Sequence, residues 1–203
     1  MDKMEDKLIS VLFARADSNY KSINGCDVWD IKRDALQWPG GTPVVAHPPC
    51  RAWGQLSHMA KPRKDEKELA LWAVDQVRNF GGVLEHPKQS KLWPAKKLPL
   101  PNEFDEFGGW TLPIFQCNFG HTAEKPTLLY IVGITPEAMP LMPILPGKEA
   151  CIIGSAGKRK DGSRLQPGDY GWRKACYRPD REHTPPKLAE WLVNVARRCA
   201  PCR

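Results

Sequence analysis

At 203 residues the chain has one-domain length, and 41% hydrophobic residues supply enough apolar material for a core, which excludes wholesale disorder. Thirty basic against 23 acidic residues give a formal charge of +7, which permits a polyanionic partner such as nucleic acid without demanding one. No apolar run approaches the roughly 20 residues of a membrane span. The segment MDKMEDKLIS (1–10) is acidic where an export signal is basic and then apolar, so the expected location is the cytoplasm.

In chain order, LISVLFA (8–14) reads as a buried strand. A polar stretch with the Asn24-Gly25 turn signal leads to CDVWDI (26–31), a second strand carrying Asp27 and Asp30. PVVA (43–46) is a third, stopped by His47-Pro48-Pro49-Cys50 because proline cannot continue a ladder. Residues 65–79 show helical spacing of Leu69, Trp72, Ala73 and Val77, with Asp65 expected to cap and Glu68 to complete a capping box. Gly81-Gly82 ends that helix. GVLE (82–85) is a fourth strand, closed by His86-Pro87. Residues 88–113 read as irregular, and IFQCNF (114–119) and TLLYIVGI (127–134) as two further strands. A last helix covers 185–198, with Thr184 as expected cap and proline in its first turn.

Apolar strands interleaved with helix predict an α/β fold, Rossmann-like, with a mainly parallel sheet flanked by helices and an irregular Pro/Gly-rich insertion. The expected organisation of 1–203 is a single domain: a core over 1–134, a variable basic segment over 135–180 and a closing helix within 181–203. Seven cysteines with no export signal argue against a disulfide framework. The Cys199-x-x-Cys202 pair sits at the end of the chain, where fraying is expected.

In parallel sheets, sites form where strands end. Cys50 follows a rigid Pro-Pro turn at the end of one predicted strand, and Glu85 closes the next. If those strands are neighbours, a thiol and a carboxyl share a crevice, a pairing suited to attack on an electron-poor ring.

The order of motifs resembles that of DNA cytosine-5 methyltransferases, in shortened form. Pro48-Pro49-Cys50 is similar to the family's Pro-Cys motif, and Leu84-Glu85-His86-Pro87 to its Glu-Asn-Val motif. Phe119-Gly120 with Lys125 and Leu128–Ile134 is similar to its Tyr-Gly…Arg-x-Arg stretch. Leu12-Phe13-Ala14 resembles the start of the cofactor loop, and Thr184–Ala189 the closing helix. The resemblance implies that Cys50 attacks C6 of a cytosine while Glu85 holds and protonates N3. It also implies S-adenosylmethionine as donor, with Phe13, Asp30 and Pro49 near it. The loop Phe13-Ala14-Arg15-Ala16-Asp17 has none of the family's glycines, and the segment 135–180 is expected to stand in for the family's recognition domain.

Arg51, His86, Lys125 and the run Lys158-Arg159-Lys160 are the expected substrate or DNA contacts, the last joined by Arg164, Arg173 and Arg178 with Trp172 and Tyr177 interleaved. Two rival readings remain. Cys50 and Glu85 with His47, His58, His86, His121 and His183 could ligate zinc or iron, although no local ligand pair supports it. The chain could also be a DNA-binding module that has lost catalysis.

Overall fold

A computed structural model describes residues 7–54, 57–145, 150–153 and 157–200, apart from the side chains of Met59, Arg178 and Pro179. The acidic start (1–6), Cys202 and the side chain of Arg178 therefore lie outside the described residues. Strands β1 (Ile9–Ala14), β2 (Cys26–Asp30), β3 (Val44–Ala46), β4 (Gly82–Pro87), β5 (Trp110–Phe115) and β6 (Pro126–Val132) form one sheet in the order β2-β1-β3-β4-β6-β5. The helices are α1 (Glu66–Phe80), the short α2 (Leu92–Ala95), the short α3 (Arg178–Glu182) and α4 (Pro186–Arg198).

The fold is α/β, but the sheet is mixed rather than mainly parallel. β1 pairs in parallel with β2 and β3, and β3 with β4, whereas β6 runs antiparallel to both β4 and β5. The link from β5 to β6 is too short to carry a covering helix across the sheet, so those two strands can only turn back on each other.

The apolar strands alternate between two cores. Val11, Val45, Val83, Leu129 and Ile131 pack with Leu188, Leu192, Val195 and Ala196 of α4. Leu12, Val44, Ala46, Leu84, Tyr130 and Val132 pack with Ala70, Ala73, Val74 and Val77 of α1. A helix on each face explains why these strands carry continuous rather than alternating hydrophobicity. Each fully buried leucine among them stabilises the fold by about 1.5–3 kcal/mol. β4 must start on a glycine: Gly82 has φ +122°, and a Cβ there would stand 2.0 Å from the Val44 carbonyl oxygen.

Several local expectations change. Asp65 takes a left-handed conformation and its side chain makes no capping bond. Glu66 supplies the first-turn carboxylate instead, buried and accepting from the Arg63 N–H and from Arg51. Thr184 does not cap α4, since Pro185 occupies the cap, and the Thr184 carbonyl accepts from the Asn19 amide.

The fifth strand lies at 110–115, not 114–119, and Gln116–Phe119 form a 3₁₀ turn. β5 is a sheet edge, so the missing N–H of Pro113 leaves no gap in a ladder. Within the predicted irregular stretch 88–113, α2 buries Leu92 and Trp93.

Cys199 is not frayed. It is fully buried, and Ala200 donates to the Gly133 carbonyl at 2.8 Å. Cys151 and Cys176 are disulfide-bonded, with Cα atoms 5.0 Å apart, whereas Cys26, Cys50, Cys117 and Cys199 are not in disulfides. The bonded pair ties the basic segment beside Ala123, with which Cys151 forms a β-bridge.

Candidate functional site

The chain leaves β1 for β2 on one side of the sheet and then crosses to β3 on the other, so the winding reverses at the β1/β3 junction. Loops leaving the carboxyl ends of strands on either side of such a junction part and open a crevice. A cleft of about 300 Å³ lies there. It is lined from β1 by Phe13, Ala14 and Arg15, from the following loop by Tyr20, and from the end of β3 by His47–Arg51. Glu85 and Pro87 of β4, Lys125 and the segment Arg181–Thr184 complete it.

Cys50 and Glu85 line the same cleft because β3 and β4 are adjacent and parallel, with Ala46 beside Leu84, one residue before Glu85 and four before Cys50. Beyond Pro48-Pro49, the Cys50 carbonyl accepts from Trp53 at 3.0 Å and Gly54 at 2.9 Å, which folds the chain into a tight turn. Arg51 then grips the buried Glu66 through two bonds, at 3.0 and 2.6 Å, fastening that turn to the start of α1. Cys50 as a residue is exposed at the mouth of the cleft. Its sulfur is nonetheless crowded by the walls, and this desolvation, with the negative charge of Glu85, raises the thiol pKa, while Lys125 opposes the rise.

Glu85 is held as a carboxylate. One oxygen faces His47 Nδ1 at 3.1 Å, and the other accepts from the Gln116 amide at 2.8 Å and the Thr127 hydroxyl at 3.4 Å. Burial favours its protonated form. The His47 hydrogen bond and the charges of Lys125 and the two neighbouring histidines outweigh it, bringing the pKa down to about 2. An ionised Glu85 can only accept, so His47 must present Nδ1–H to it. The other ring nitrogen, Nε2, is hydrogen-bonded to the Tyr20 hydroxyl 2.8 Å away. Tyr20 is buried and its pKa is raised well above the ordinary value, by desolvation first and then by Glu85, so it remains a hydroxyl donor. The chain Tyr20–His47–Glu85 fixes the orientation of the ring, held at both nitrogens.

The expected site residues divide. Cys50, Glu85, Phe13, Pro49, Arg51 and Lys125 all line the cleft. Two of them, Phe13 with φ +60° and Lys125 with φ +42°, hold left-handed backbone conformations, the kind of local strain that collects at functional sites. At Phe13 it coincides with a break in register against β2, and the ring meets Trp72 edge-on.

Asp30 does not reach the cleft. Lys21 takes one of its oxygens and the N–H groups of Lys32 and Arg33 take the other, making it a turn cap. His86, on the alternate side of β4 from Glu85, is fully buried and does not line the cleft. Desolvation brings its pKa down to about 4, although Glu85 and the Pro49 carbonyl favour the charged form. Neither ring nitrogen makes a well-formed hydrogen bond among the described residues.

Arg159 is tied to Asp169 and Ser163 within a tight hairpin, with Lys158 bridging to Arg164 through the backbone and Lys160 exposed at its turn. None of the three lines the cleft. Among the described residues, no three His, Cys, Asp or Glu side chains converge as a metal site would need.

Tyr20, Gln116 and Thr127 join the site beyond the expected residues, and His47 enters it as a hydrogen-bonding partner of Glu85. The signal for His47 was its place beside the Pro-Pro-Cys turn. Tyr20 and Gln116 carried no signal, because only the tertiary fold brings them to Glu85. The chain matches no protein-family model, and no curated protein matches it at a significant level.

Proposed function

We propose that the protein activates a pyrimidine base by covalent addition of Cys50, and modifies the ring at C5. The observation that carries this reading is that a thiol and an ionised carboxylate, delivered by adjacent parallel strands, line one cleft beside a lysine. Cys50 gives up its proton to solvent, its thiolate forms an S–C6 bond, and the C5=C6 electron pair moves to C5 and into the ring carbonyl. Lys125 stands where the charge gathered on a carbonyl oxygen is stabilised. C5 then takes an electrophile and gives up its proton, and elimination breaks the S–C6 bond and returns the thiolate. Glu85 fixes the ring edge as a hydrogen-bond acceptor. In this cleft it does not start as the proton donor that the methyltransferase resemblance implies.

A Rossmann-like arrangement of the parallel half agrees with this reading, because β2-β1-β3-β4 winds outward from the junction that holds the site. S-adenosylmethionine is the donor that the resemblance implies, and the residues fit it poorly. Arg15 reaches from the β1 exit to pair with Asp17 and Glu182, where glycines would leave room for a ligand, and Asp30 is consumed in its turn. The reaction is therefore written without it.

The polymer partner proposed is DNA in the cytoplasm. The exposed Lys158–Lys160 hairpin with Tyr170 and Tyr177 supplies backbone contacts and stacking surface, and a base within a duplex would have to flip out to reach Cys50. The test is mass spectrometry of nucleosides from the DNA and RNA of cells expressing the protein, beside cells expressing Cys50→Ala. A new C5-modified pyrimidine that is absent with Cys50→Ala supports the reading. Identical profiles overturn it.

A further inference from the structure

Glu85 sits among three donors, His47 Nδ1, the Gln116 amide and the Thr127 hydroxyl, and this fixes what a ring edge must offer it. Resting on the proposed pyrimidine chemistry, we infer that the ring taken by this cleft is of the uracil type, presenting an N3–H between two carbonyl oxygens, rather than cytosine. A carboxylate held by donors on both oxygens accepts the N3–H of uracil. Against cytosine one oxygen could accept from the N4 amino group, but the other would face the bare N3 lone pair, acceptor against acceptor. Lys125 complements the edge: it lines the same cleft, where its charge acts on both Glu85 and Cys50, and it can donate to a flanking carbonyl oxygen.

The reaction itself points the same way. Thiol addition to neutral cytosine needs a proton delivered to N3, and the group at that place is an anion whose neighbour His47 is itself held by Tyr20. Uracil needs no such proton. Its C5=C6 bond is conjugated with the C4 carbonyl, so the electron pair displaced by sulfur ends on O4 as an enolate, which Lys125 can stabilise. Protonation of the enolate at C5 by water, loss of the original C5 hydrogen as a proton and elimination of the Cys50 thiolate then exchange that hydrogen with solvent. No oxidant, reductant or group donor is consumed.

The full chain is incubated with single-stranded oligonucleotides carrying one uracil or one cytosine tritiated at C5, and release of tritium to water is followed. Release from uracil is expected to exceed release from cytosine at least about tenfold, the effect of one mispaired buried polar group. It is expected to vanish in Cys50→Ala. Glu85→Gln, whose amide can donate to the cytosine N3, is expected to narrow the ratio. Should that variant not fold, the same ratio is read from binding of the two oligonucleotides to Cys50→Ala by fluorescence anisotropy, with uracil again at least about tenfold tighter. Cysteine-dependent release from cytosine that equals or exceeds that from uracil would overturn the uracil inference and leave the covalent reading standing. So would equal or tighter binding of cytosine. No Cys50-dependent release from either oligonucleotide overturns both.

Discussion

Replacing His47 with phenylalanine keeps a ring in the cleft wall and deletes both of its hydrogen bonds, the 3.1 Å contact to Glu85 and the 2.8 Å contact to Tyr20. In the folded protein the Glu85 pKa is down from 4.5 to about 2, with His47 the leading influence against burial. Each pKa unit is worth about 1.36 kcal/mol, so the whole depression stabilises the neutral-pH fold by about 3 kcal/mol. The share due to His47 is bounded below by the roughly 1.5 kcal/mol of a hydrogen bond to a charged group. His47→Phe is therefore expected to cost about 1.5–3 kcal/mol at pH 7, with roughly 1 kcal/mol more for the stranded Tyr20 hydroxyl.

The sign of the pH dependence is fixed by the direction of the shift. A depressed carboxyl contributes stability that is complete above its unfolded value of 4.5 and is lost as pH falls toward about 2. Urea unfolding of the wild type between pH 7 and pH 2 should show that acid limb. The variant should be less stable at pH 7 and show a flatter limb. The double variant His47→Phe/Glu85→Gln should lose less than the sum of its single changes. Equal stability at pH 7 with an unchanged acid limb in His47→Phe would refute the coupling of His47 to Glu85.

The Cys50 thiol, raised by its surroundings, should be alkylated by iodoacetamide with a rate that climbs with pH to a midpoint above the ordinary 9.0; Lys125→Ala should move the midpoint higher and Glu85→Gln lower, read by peptide mass spectrometry. Arg51→Met leaves the buried Glu66 carboxylate without its two-bond partner, so denaturant unfolding should show a loss of about 1–3 kcal/mol, and the loosened turn should alkylate faster at Cys50. Gly82→Ala forces a Cβ against the Val44 carbonyl, and a thermal melt should show a loss of roughly 3 kcal/mol or more, with β3 and β4 pushed apart.

The parts of the fold legible in the sequence were those dictated by short-range pattern. The continuous apolar runs at 9–14, 44–46 and 127–132 are strands because α1 and α4 cover both faces, and the helical spacing that follows Asp65 survives in α1. The convergence of Cys50 and Glu85 was readable as well, since two proline-stopped strands in succession place their ends together once they pair in parallel.

What failed depended on competition between partners. Asp65 looked like a cap, but Glu66 had Arg51 and the Arg63 N–H to hold it at the helix start. Asp30 looked like a ligand acid, but Lys21 and two backbone N–H groups reach it first. The strand after Gly109 was displaced because Pro113 reads as a breaker unless the strand is known to be an edge. The Tyr20–His47–Glu85 chain joins residues 27 and 38 positions apart, and no local pattern encodes such a meeting.

The most direct test of covalent pyrimidine chemistry at this cleft is peptide mass spectrometry of the full chain after incubation with single-stranded oligonucleotides bearing 5-fluorouracil or 5-fluorocytosine. Fluorine cannot leave C5 as a cation, so once C5 has taken an electrophile other than a proton the elimination is blocked and the adduct with sulfur at C6 accumulates instead of turning over. The account predicts a nucleotide mass on the peptide that contains Cys50, formed with at least one of the two rings and absent from Cys50→Ala. An unmodified Cys50 with both rings, or label carried instead by Cys26 or Cys117, would contradict it.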